Sequence, residues 1–273
     1  MHTHSTYSDG VLTPAELVLR AVSRGVRLLA LTDHDETGGL AEASQAASGR
    51  DIVLVPGVEI SASWNHLTVH IVGLDIDAKA PGLVEGLASI RHCRGDRAIR
   101  IAAQLDAAGI TGSLQGARRH AGNSAAIGRS HFARFLVEQK HARNTKDAFR
   151  RYLGTGRVGY VPPVWPVLTQ ALEWIRCAGG RSVLAHPDRY RLTPHALQGL
   201  LEAFATNGGD AIEISADTHC GRSTQVRLAR RFGFNLSSGS DFHAPGINVP
   251  DLGEATQIPA SERAVWQQLR TSR

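Results

Sequence analysis

The 273-residue sequence has little cysteine, and its three cysteines are scattered. Cys93, Cys177 and Cys220 lack the C-x-x-C spacing of zinc and redox sites, so we expect isolated thiols rather than disulfides or a cysteine-bound metal. The sequence also lacks an apolar run of about 18 residues and the basic and apolar regions of a secretory signal. These absences predict a cytoplasmic protein that makes no contact with a membrane.

Charge of one sign is not in large excess either, since the formal net charge is +5, with arginine supplying nearly all of the positive charge. This mild basicity suits an anionic ligand but is equally compatible with an ordinary solvated surface. Histidine, by contrast, is abundant at 13 residues, many of them beside carboxylates. The length and the 42% hydrophobic content fit a soluble enzyme built as one large domain, or as a domain with an insertion.

Strand and helix patterns alternate along the chain. A capping box of Thr13 and Glu16 predicts a helix from about 14 to 24, and strands are predicted in VRLLALTDHD, DIVLVPGVEIS and LTVHIVGLDI. A long helix from about 83 to 108 leads into an arginine-rich helical or looped segment without a strand pattern, which ends near 163. Strands resume in RSVLAHPDR, GGDAIEISA and FGFNLSSGSDFH. This rhythm predicts an α/β fold with a helical insertion.

Histidines and carboxylates recur where these strands end. In the opening MHTHSTYSDG, His2 and His4 are two residues apart, so on a strand both imidazoles would point to the same side. Because the carboxyl ends of the strands converge on one face of a parallel α/β barrel, we expect one set of polar side chains to meet there. The set consists of His2, His4, Asp9, His34, Glu59, His70, His186, Asp241 and His243.

Each of these residues has an ordinary structural alternative. A single histidine on a strand is more often a hydrogen-bonded structural residue, an aspartate before a turn is more often a turn former, and the opening HTH could be a tag remnant. A structural explanation would have to apply independently to about nine residues, all predicted at the same edge of the sheet. A shared metal site explains them together and is therefore favoured. Imidazole and carboxylate ligands without cysteine suit Mn, Fe or Zn, and this many ligands could hold two or three ions. Clustered ions of this type serve phosphate ester hydrolysis.

The motifs HTHSTYSDG, LTDHD, GVEIS with VHIVG, AHP, and SSGSDFH occur in an order and at spacings that resemble the PHP (polymerase and histidinol phosphatase) family of the amidohydrolase superfamily. The resemblance covers almost the whole chain. It implies a distorted (β/α)7 barrel that holds, as a rule, three divalent metals. On this basis we divide the chain into a first barrel part at 1–94, a helical insertion that serves as substrate lid at 95–162, and a second barrel part at 163–273.

The resemblance also implies a role for each ligand. His2, His4, Glu59 and Asp241 would hold one metal, and Glu59 would bridge to a second that His70 and His186 complete. Asp9, His34 and His243 would hold the third metal. We expect manganese, with zinc or iron as alternatives. A hydroxide that bridges the metals would attack the phosphorus, with Glu59, Asp241, His243 and His219 as the catalytic residues; for His219, a surface position is the alternative.

Within the family, the insertion motifs IGRSHFARFLV and FRRYLGTGRVGYVPP are similar to the branch that hydrolyses nucleoside 3',5'-bisphosphates to nucleoside 5'-monophosphate and phosphate. Arg129, His131 and Arg134 would clamp the phosphate that is not cleaved, or they would form a solvated basic helix face. Asp35 would orient a metal-bound histidine beside the substrate, and Arg157 follows a GTG turn that could approach a phosphate. The implied partner is a small nucleotide, with no membrane and no obligate protein partner.

Three other functions stay open. Some members of the same branch trim short 5'-phosphorylated oligonucleotides in the 5' to 3' direction, and histidinol phosphate is a third substrate. The arginine-rich insertion prefers a second anion to the cationic amine of histidinol phosphate, and the thin supply of aromatic side chains favours a small substrate over an oligonucleotide. A non-catalytic binding module is the alternative from another class.

The chain departs from the family pattern at its start. Family members have an apolar strand before the HxH motif, whereas His2 directly follows Met1 here, so we expect either an upstream start or a shortened first strand. The remaining histidines are predicted to have surface or structural roles, and these are His66, His92, His120, His141 and His195.

Overall fold

The computed structural model describes residues 1–214, 221–246 and 250–270. A curved sheet forms its centre, with neighbouring strands in the order of the sequence. The strands are β1 (Leu28–Leu31), β2 (Val53–Trp64), β3 (Leu67–Leu74), β4 (Arg181–Leu184), β5 (Ala211–Ile214) and β6 (Asn235–Ser238). The helices are α1 (Pro14–Ser23), α2 (Leu40–Ala47), α3 (Pro81–Ala107), α4 (Ser113–Arg119), α5 (Arg129–Glu138), α6 (Thr145–Ala148), α7 (Leu168–Cys177), α8 (Pro194–Thr206) and α9 (Arg222–Phe232).

The sequence predicted a parallel barrel, but the sheet contains one antiparallel strand. β1 and β2 pair in parallel, as do β4, β5 and β6, but β3 is antiparallel to both of its neighbours. Only Asn65 and His66 connect β2 to β3, and both have positive φ, at 45° and 65°. Two residues can form a hairpin but cannot make the crossover that a parallel pair needs. Residue 70 therefore lies within β3 rather than at the carboxyl end of a parallel strand.

The first residues of the chain lie along the sheet. The amide of Thr32, after β1, donates to the carbonyl of Thr3 at 3.0 Å, and the amide of His4 donates to the carbonyl of Phe242 at 2.9 Å. Thr3 and Phe242 form an isolated parallel bridge. The N-terminal segment is thus held between the residues that follow β1 and those that follow β6.

The capping box predicted for α1 is confirmed, because the Thr13 side chain accepts from the Glu16 amide and the Glu16 side chain accepts from the Thr13 amide. The long helix predicted after Pro81 is also confirmed, as α3. None of the helices in the described part of the chain combines the length and the apolar character needed to cross a membrane.

Two large apolar clusters support the molecule. One lies between the sheet and helices α3, α7, α8 and α9, with Ile60, Ile71 and Phe204 fully buried. The other lies within the segment of 98–161, where Phe132 and Leu136 of α5 pack against the second half of α3. The helical segment therefore has a core of its own. The division at 94/95 remains a prediction, and α3 runs across it without a break.

Candidate metal centre

Glu59 lies at the centre of the predicted ligand set. It lies in the middle of β2, just after the part of β2 that pairs with β1, and its side chain is fully buried. Its carboxylate is surrounded by imidazole nitrogens at 2.9–3.2 Å. The histidines around Oε2 are His2, His4 and His34, and those around Oε1 are His70 and His186. A carboxylate that is shared in this way has the geometry of a bridging ligand.

The first group of potential ligands is formed by His2, His4, Glu59 and Asp241, all of them buried. Each histidine is oriented by a bond from its Nδ1, to Glu213 at 3.1 Å for His2 and to the Ser8 hydroxyl at 3.3 Å for His4. When a metal ion takes the place of the Nε2 proton, each ring keeps Nδ1 protonated and directs the Nε2 lone pair into the group. The two Nε2 atoms are only 3.2 Å apart and both lie beside the carboxylates of Glu59 and Asp241, so one cation could contact all four side chains.

Two further groups share residues with the first. His34 and His70 lie beside Glu59, and the Nε2 of His186 is 3.1 Å from the Glu59 Oε1. Asp9 forms another group with its neighbours His4, His34 and His243, in which Asp9 Oδ1 is 3.2 Å from the Nε2 of His243. All nine side chains predicted as ligands thus meet in one cluster. Their distribution among individual metals remains a prediction.

Several buried polar atoms of this cluster have no hydrogen-bond partner among the described residues. The Glu59 Oε2 and the Nδ1 of His34 are 2.9 Å apart but are not aligned for a hydrogen bond, which indicates that both point to a common centre. Buried polar atoms are rarely left unpaired, and metal coordination is one way to pair them. The unpaired atoms are Asp9 Oδ1, His34 Nδ1, Glu59 Oε2, His70 Nδ1 and His186 Nδ1. The residues present therefore fit divalent ions, since the described part of the centre offers only nitrogen and oxygen ligands.

The charges in the cluster lead to the same conclusion. Burial alone would raise the pKa of Glu59, yet the surrounding His2, His34 and His70 outweigh burial and hold that pKa well below its usual range. Burial lowers the pKa of His4, but hydrogen bonds to Asp241 and Glu59 outweigh it and raise the pKa to about 10. Ionised carboxylates in this buried site therefore demand positive charge, which protons or metal ions can supply.

A loop of small residues fixes the ligands near the N-terminus. Asp33, at the end of β1, accepts from the Ser5 amide at 2.7 Å and from the hydroxyls of Ser5 and Ser8 at 2.6 Å. Gly10 must be glycine, because a Cβ there would lie 2.4 Å from the His4 carbonyl oxygen. The turn between the HTH motif and Asp9 is therefore rigid, and it sets the position of Asp9.

A pocket opens from this centre toward the helical segment. Asp9, His34 and His70 of the centre line it, together with Arg97 and Arg129 of the helical segment. The same cavity thus joins the candidate metal ligands to arginine side chains of α3 and α5. A ligand with two anionic groups matches this arrangement.

Comparison with known proteins places the chain in a family. The model of the PHP domain matches residues 1–214. This chain belongs to the PHP domain family. A 3',5'-nucleoside bisphosphate phosphatase from Chromobacterium violaceum is 46% identical over 98% of this chain and 95% of its own length. The 5'-3' exoribonuclease Rnm from Escherichia coli is 44% identical over 98% of this chain and 92% of its own length.

Solved structures agree with this assignment. A structure of an amidohydrolase from Chromobacterium violaceum, with bound sulfate and no metal, is 45% identical and superposes with a TM-score of 0.93. The match covers 99% of this chain and 95% of that chain. This PHP chain therefore has the α/β fold of a structurally known relative across the part of the chain that the structure describes.

The residues predicted on α5 of the PHP chain have different surroundings. Arg129 lines the pocket. His131 is fully buried and uses both ring nitrogens on the backbone, since Nε2 donates to the Ser8 carbonyl and Nδ1 accepts from the Gly128 amide, each at 2.9 Å. Arg134 donates to the Asp9 carbonyl. His131 and Arg134 thus hold the loop that carries Asp9, and both Arg129 and His131 line the pocket where a ligand would lie.

Asp35 has a different role from the one expected. Its carboxylate is fully buried and is saturated by the Ser61 amide at 2.7 Å, the Ser61 hydroxyl at 2.9 Å and Nε of Arg94 at 2.8 Å. It orients Arg94 rather than a histidine or the substrate, because the positive φ of 54° turns the chain after His34 toward α3.

Arg157 lies away from the pocket, in a shallow surface depression with Arg150, Arg151 and Tyr152. The position predicted to be catalytic at His219 is outside the described residues. The histidines predicted to lie outside the centre do not line the pocket, and His66, His92 and His195 are exposed.

Three residues of the site were missed at the level of sequence. Glu213, near the end of the GGDAIEISA strand, accepts hydrogen bonds from the His2 ring and from the His186 amide. A carboxylate in that position could have been predicted as part of the site. Arg189, which forms an ion pair with Asp241, follows His186 by only three residues in AHPDR. Arg94 gave no signal, because an arginine in a long helix is usually solvated.

Proposed function

We propose that this protein is a metal-dependent phosphatase that removes the 3'-phosphate of nucleoside 3',5'-bisphosphates, so that adenosine 3',5'-bisphosphate becomes AMP and phosphate. One observation carries the proposal: candidate metal ligands and arginines line the same pocket. The 46% identity to a 3',5'-nucleoside bisphosphate phosphatase over nearly the full length supports it.

In this proposal the ligands divide as the family resemblance implies. His2, His4, Glu59 and Asp241 hold one ion. Glu59 with His70 and His186 holds a second, and Asp9 with His34 and His243 holds a third. Divalent ions held there, with manganese expected, would supply Lewis acidity that activates water and stabilises negative charge on the reacting phosphate.

The side chains of the protein prepare this site in three ways. Glu213 and Ser8 keep the Nε2 atoms of His2 and His4 free to coordinate. Arg189 supplies positive charge beside Asp241 at the solvent side of the centre. His131 and Arg134 hold the backbone of 8–9, so that the Asp9 carboxylate is positioned before any ligand arrives. Such preorganisation reduces the cost of assembling the charged site for reaction.

The fold that we propose is the distorted seven-stranded barrel of the family. The N-terminal segment around Thr3 then takes the place of a further strand between β1 and β6, which agrees with its hydrogen bonds to both sides. The helical segment of 95–162 then acts as the lid over the pocket.

A 5' to 3' exoribonuclease is the second candidate, favoured by the 44% identity to the Escherichia coli enzyme Rnm. The reaction would be similar to that of the phosphatase. In both substrates, the phosphorus that is attacked is bonded to the 3'-oxygen of a nucleotide that carries a 5'-phosphate. Histidinol phosphate is disfavoured, since its cationic amine would face the arginines of the pocket.

The test is phosphate release by the manganese-loaded protein from adenosine 3',5'-bisphosphate, with AMP, histidinol phosphate and a 5'-phosphorylated trinucleotide as parallel substrates. We expect release from the bisphosphate with AMP as the accumulating product. Turnover of the trinucleotide alone would replace the proposal with the nuclease. Turnover of histidinol phosphate alone, or of none of the four, would overturn it.

A further inference from the structure

The excess positive charge of the chain is concentrated in one stretch of the helical segment. Residues 140–157 contain six lysines and arginines but only one carboxylate, that of Asp147. Their formal net charge of +5 equals that of the whole chain, so the rest of the sequence is neutral on balance. Such a local excess attracts polyanions. The six basic residues are Lys140, Arg143, Lys146, Arg150, Arg151 and Arg157.

These basic side chains lie on the surface of the protein rather than in the pocket, since all six are exposed. Five of them line two neighbouring shallow depressions. Arg150 lines both depressions, so the two join into one continuous path over α6 and the turn of π-helix that follows it, Phe149–Leu153. We call this path the outer basic surface, and its basic residues are Arg143, Lys146, Arg150, Arg151 and Arg157.

The charge of the outer basic surface is not neutralised by carboxylates of the described chain. The side chain of Asp147 is only 4% exposed, and it is shared by three arginines. One carboxylate can balance only one of these three charges. Lys146 and Arg157 have no ion pair with a carboxylate in the part of the chain that the structure describes. The surface therefore keeps an excess of positive charge, and a bound polyanion would relieve the repulsion. The arginines that share Asp147 are Arg143, Arg150 and Arg151.

The outer basic surface borders the pocket that contains the candidate metal ligands. The side chain of Phe149 lines that pocket, and the Arg129 guanidinium lies 5.5 Å from the centroid of its ring. The next two residues, Arg150 and Arg151, are exposed on the outer basic surface. A single helical turn therefore contributes its first residue to the pocket and the following two to the surface. A strand of nucleic acid with its first nucleotide in the pocket could continue directly onto this surface.

The chemistry of the outer basic surface favours nucleic acid over other polyanions. Four of its five basic residues are arginines, which can bind phosphate oxygens through two parallel hydrogen bonds. The Arg151 guanidinium lies 4.9 Å from the centroid of the partly buried Tyr152 ring, and these planar groups offer a platform on which a base can stack. Residues 140–157, all of them described, expose no large apolar side chain that would insert into a lipid bilayer.

We propose that the outer basic surface binds the phosphodiester backbone of a single nucleic-acid strand, downstream of the nucleotide that occupies the pocket. The direction of the strand rests on the proposed function, because that function places the 5' nucleotide among the metal ligands and arginines of the pocket. A mononucleotide is too short to reach the surface, whereas a longer strand gains a charge-assisted contact for each phosphate that lies on it. The chain thus combines a site for the first nucleotide with a separate docking surface for the rest of the strand.

The experiment measures binding of a single-stranded oligouridylate RNA of about 12 nucleotides, a length within the usual site sizes for single strands. The RNA carries a 5'-hydroxyl and a 3'-fluorescein, and its fluorescence anisotropy is recorded with chelator-treated protein. Removal of metal prevents cleavage, and the 5'-hydroxyl deprives the pocket of a terminal phosphate. The measured affinity therefore reports mainly on contacts to the backbone of the strand.

Two triple variants are compared with the wild type. The control variant lowers the net charge by the same amount as the surface variant, at exposed positions outside the helical segment. The melting temperature of each variant shows whether it is folded. The single variant Lys146→Gln breaks no ion pair among the described residues and serves if the surface variant does not fold. The surface variant combines Lys146→Gln, Arg150→Gln and Arg157→Gln, and the control variant combines Arg27→Gln, Arg50→Gln and Arg227→Gln.

At about 50 mM salt we expect the surface variant to bind the RNA about 100-fold more weakly than the wild type, because three phosphate contacts are lost. The slope of log K against the logarithm of the salt concentration should become less steep by about 2, and by about 0.7 in Lys146→Gln alone. The control variant should bind as the wild type does.

Three results would overturn the proposal. The first is that the surface variant binds the RNA as tightly as the wild type, and the second is that the control variant loses as much affinity as the surface variant. The third is that a poly-glutamate peptide or vesicles of phosphatidylserine bind the wild type as tightly as the RNA does, which would assign the surface to another polyanion.

The hydrolysis assay on the manganese-loaded wild type keeps this proposal separate from the proposed function. If the wild type hydrolyses none of the test substrates while RNA binding depends on the outer basic surface, the proposed function fails and the docking surface stands. If the bisphosphate is hydrolysed but RNA binding does not depend on that surface, the docking surface is wrong and the function stands.

Discussion

The two ends of the pocket have opposite electrostatic needs. At the metal end, buried carboxylates lie among unpaired ring nitrogens, and the centre requires cations. Beside the helical segment, Nη2 of Arg97 and Nε1 of Trp165 are buried donors without an acceptor among the described residues, which favours an anionic ligand. A phosphate ester held by metal ions at one end and by arginines at the other meets both needs. Buried polar groups without partners thus indicate the ligand more directly than the shape of the cavity does.

The two ends are also supported differently. The metal ligands come from segments between residues 2 and 243, and the sheet brings them together. The arginine end depends on the packing of α3, α4 and α5 around their own apolar cluster. If this contrast is correct, damage at the metal end abolishes chemistry, whereas damage in the helical segment lowers stability or substrate preference.

Glu59→Gln should have the largest effect. Glu59 is the one carboxylate in contact with five of the candidate histidine ligands, so loss of its charge removes the bridge between the groups. We expect kcat/KM for the bisphosphate to fall by about 1,000-fold or more, and the thermal stabilisation by Mn²⁺ to disappear. Asp51→Asn, at an exposed carboxylate before β2, is the control and should behave as wild type. Activity retained by Glu59→Gln would contradict the assignment.

Asp35→Asn should have the largest effect on stability. The change leaves the nearly buried Arg94 without its carboxylate partner while the side-chain shape is kept. We expect the free energy of unfolding in urea to fall by about 3 kcal/mol. The Mn²⁺-induced shift in melting temperature should persist, because Asp35 is bonded to Ser61 and Arg94. A loss of metal binding without a loss of stability would place Asp35 in the metal centre instead.

A pair of glycine substitutions tests the packing of the helical segment. At Gly116 in α4, a Cβ would lie 2.0 Å from the Phe135 ring, so Gly116→Ala should destabilise the protein by about 2 kcal/mol. At Gly95 in α3 nothing lies within 4 Å of a Cβ, so Gly95→Ala should stabilise it by about 0.5–1 kcal/mol through helix propensity. Urea unfolding measures both values. Equal effects at the two positions would show that close helix packing does not govern this segment.

The smallest effect concerns pH and His131. Burial lowers the pKa of His131 to about 4, whereas the unfolded chain has the ordinary value near 6.5. The unfolded state therefore takes up the proton first, so the contribution of His131 to stability is complete above pH 6.5 and declines as the pH falls toward 4.

His131→Gln keeps a donor for the Ser8 carbonyl but cannot be protonated. In chelator-treated protein, the stability advantage of wild type over this variant should shrink by about 1 kcal/mol between pH 7.5 and 5.5. An advantage that stays constant over this interval would show that His131 is not neutral and buried as described.

Local patterns were sufficient to predict most of the strands and helices and to select side chains that the structure brings together in one cluster, because both leave a periodic or positional trace. The alternation of apolar residues marked β1, β2 and β3, and Thr13 with Glu16 marked the start of α1. The direction of β3 was not recognised, although the two-residue link at Asn65 and His66 permits only a hairpin. The candidate ligands were found because they recur in short histidine- and carboxylate-containing motifs, although Glu59 and His70 lie within their strands rather than at the ends.

The arginines that line the pocket could not be predicted from local sequence patterns. Arg94 and Arg97 look like solvated residues of a long helix, and only the tertiary packing buries them against Trp165. His131 and Arg134 were expected to contact the substrate, because their spacing cannot show that backbone carbonyls already use them. Side chains that act through partners distant in sequence leave no local signal.

The most direct test of the account is a manganese titration of the chelator-treated protein with adenosine 3',5'-bisphosphate as substrate, with metal content and phosphate release measured together. The account predicts no release without metal, and release that rises with the occupancy of two or three ions per chain to yield AMP. Phosphate release at full rate from protein shown to be free of metal, or complete loading with manganese without any release, would contradict it.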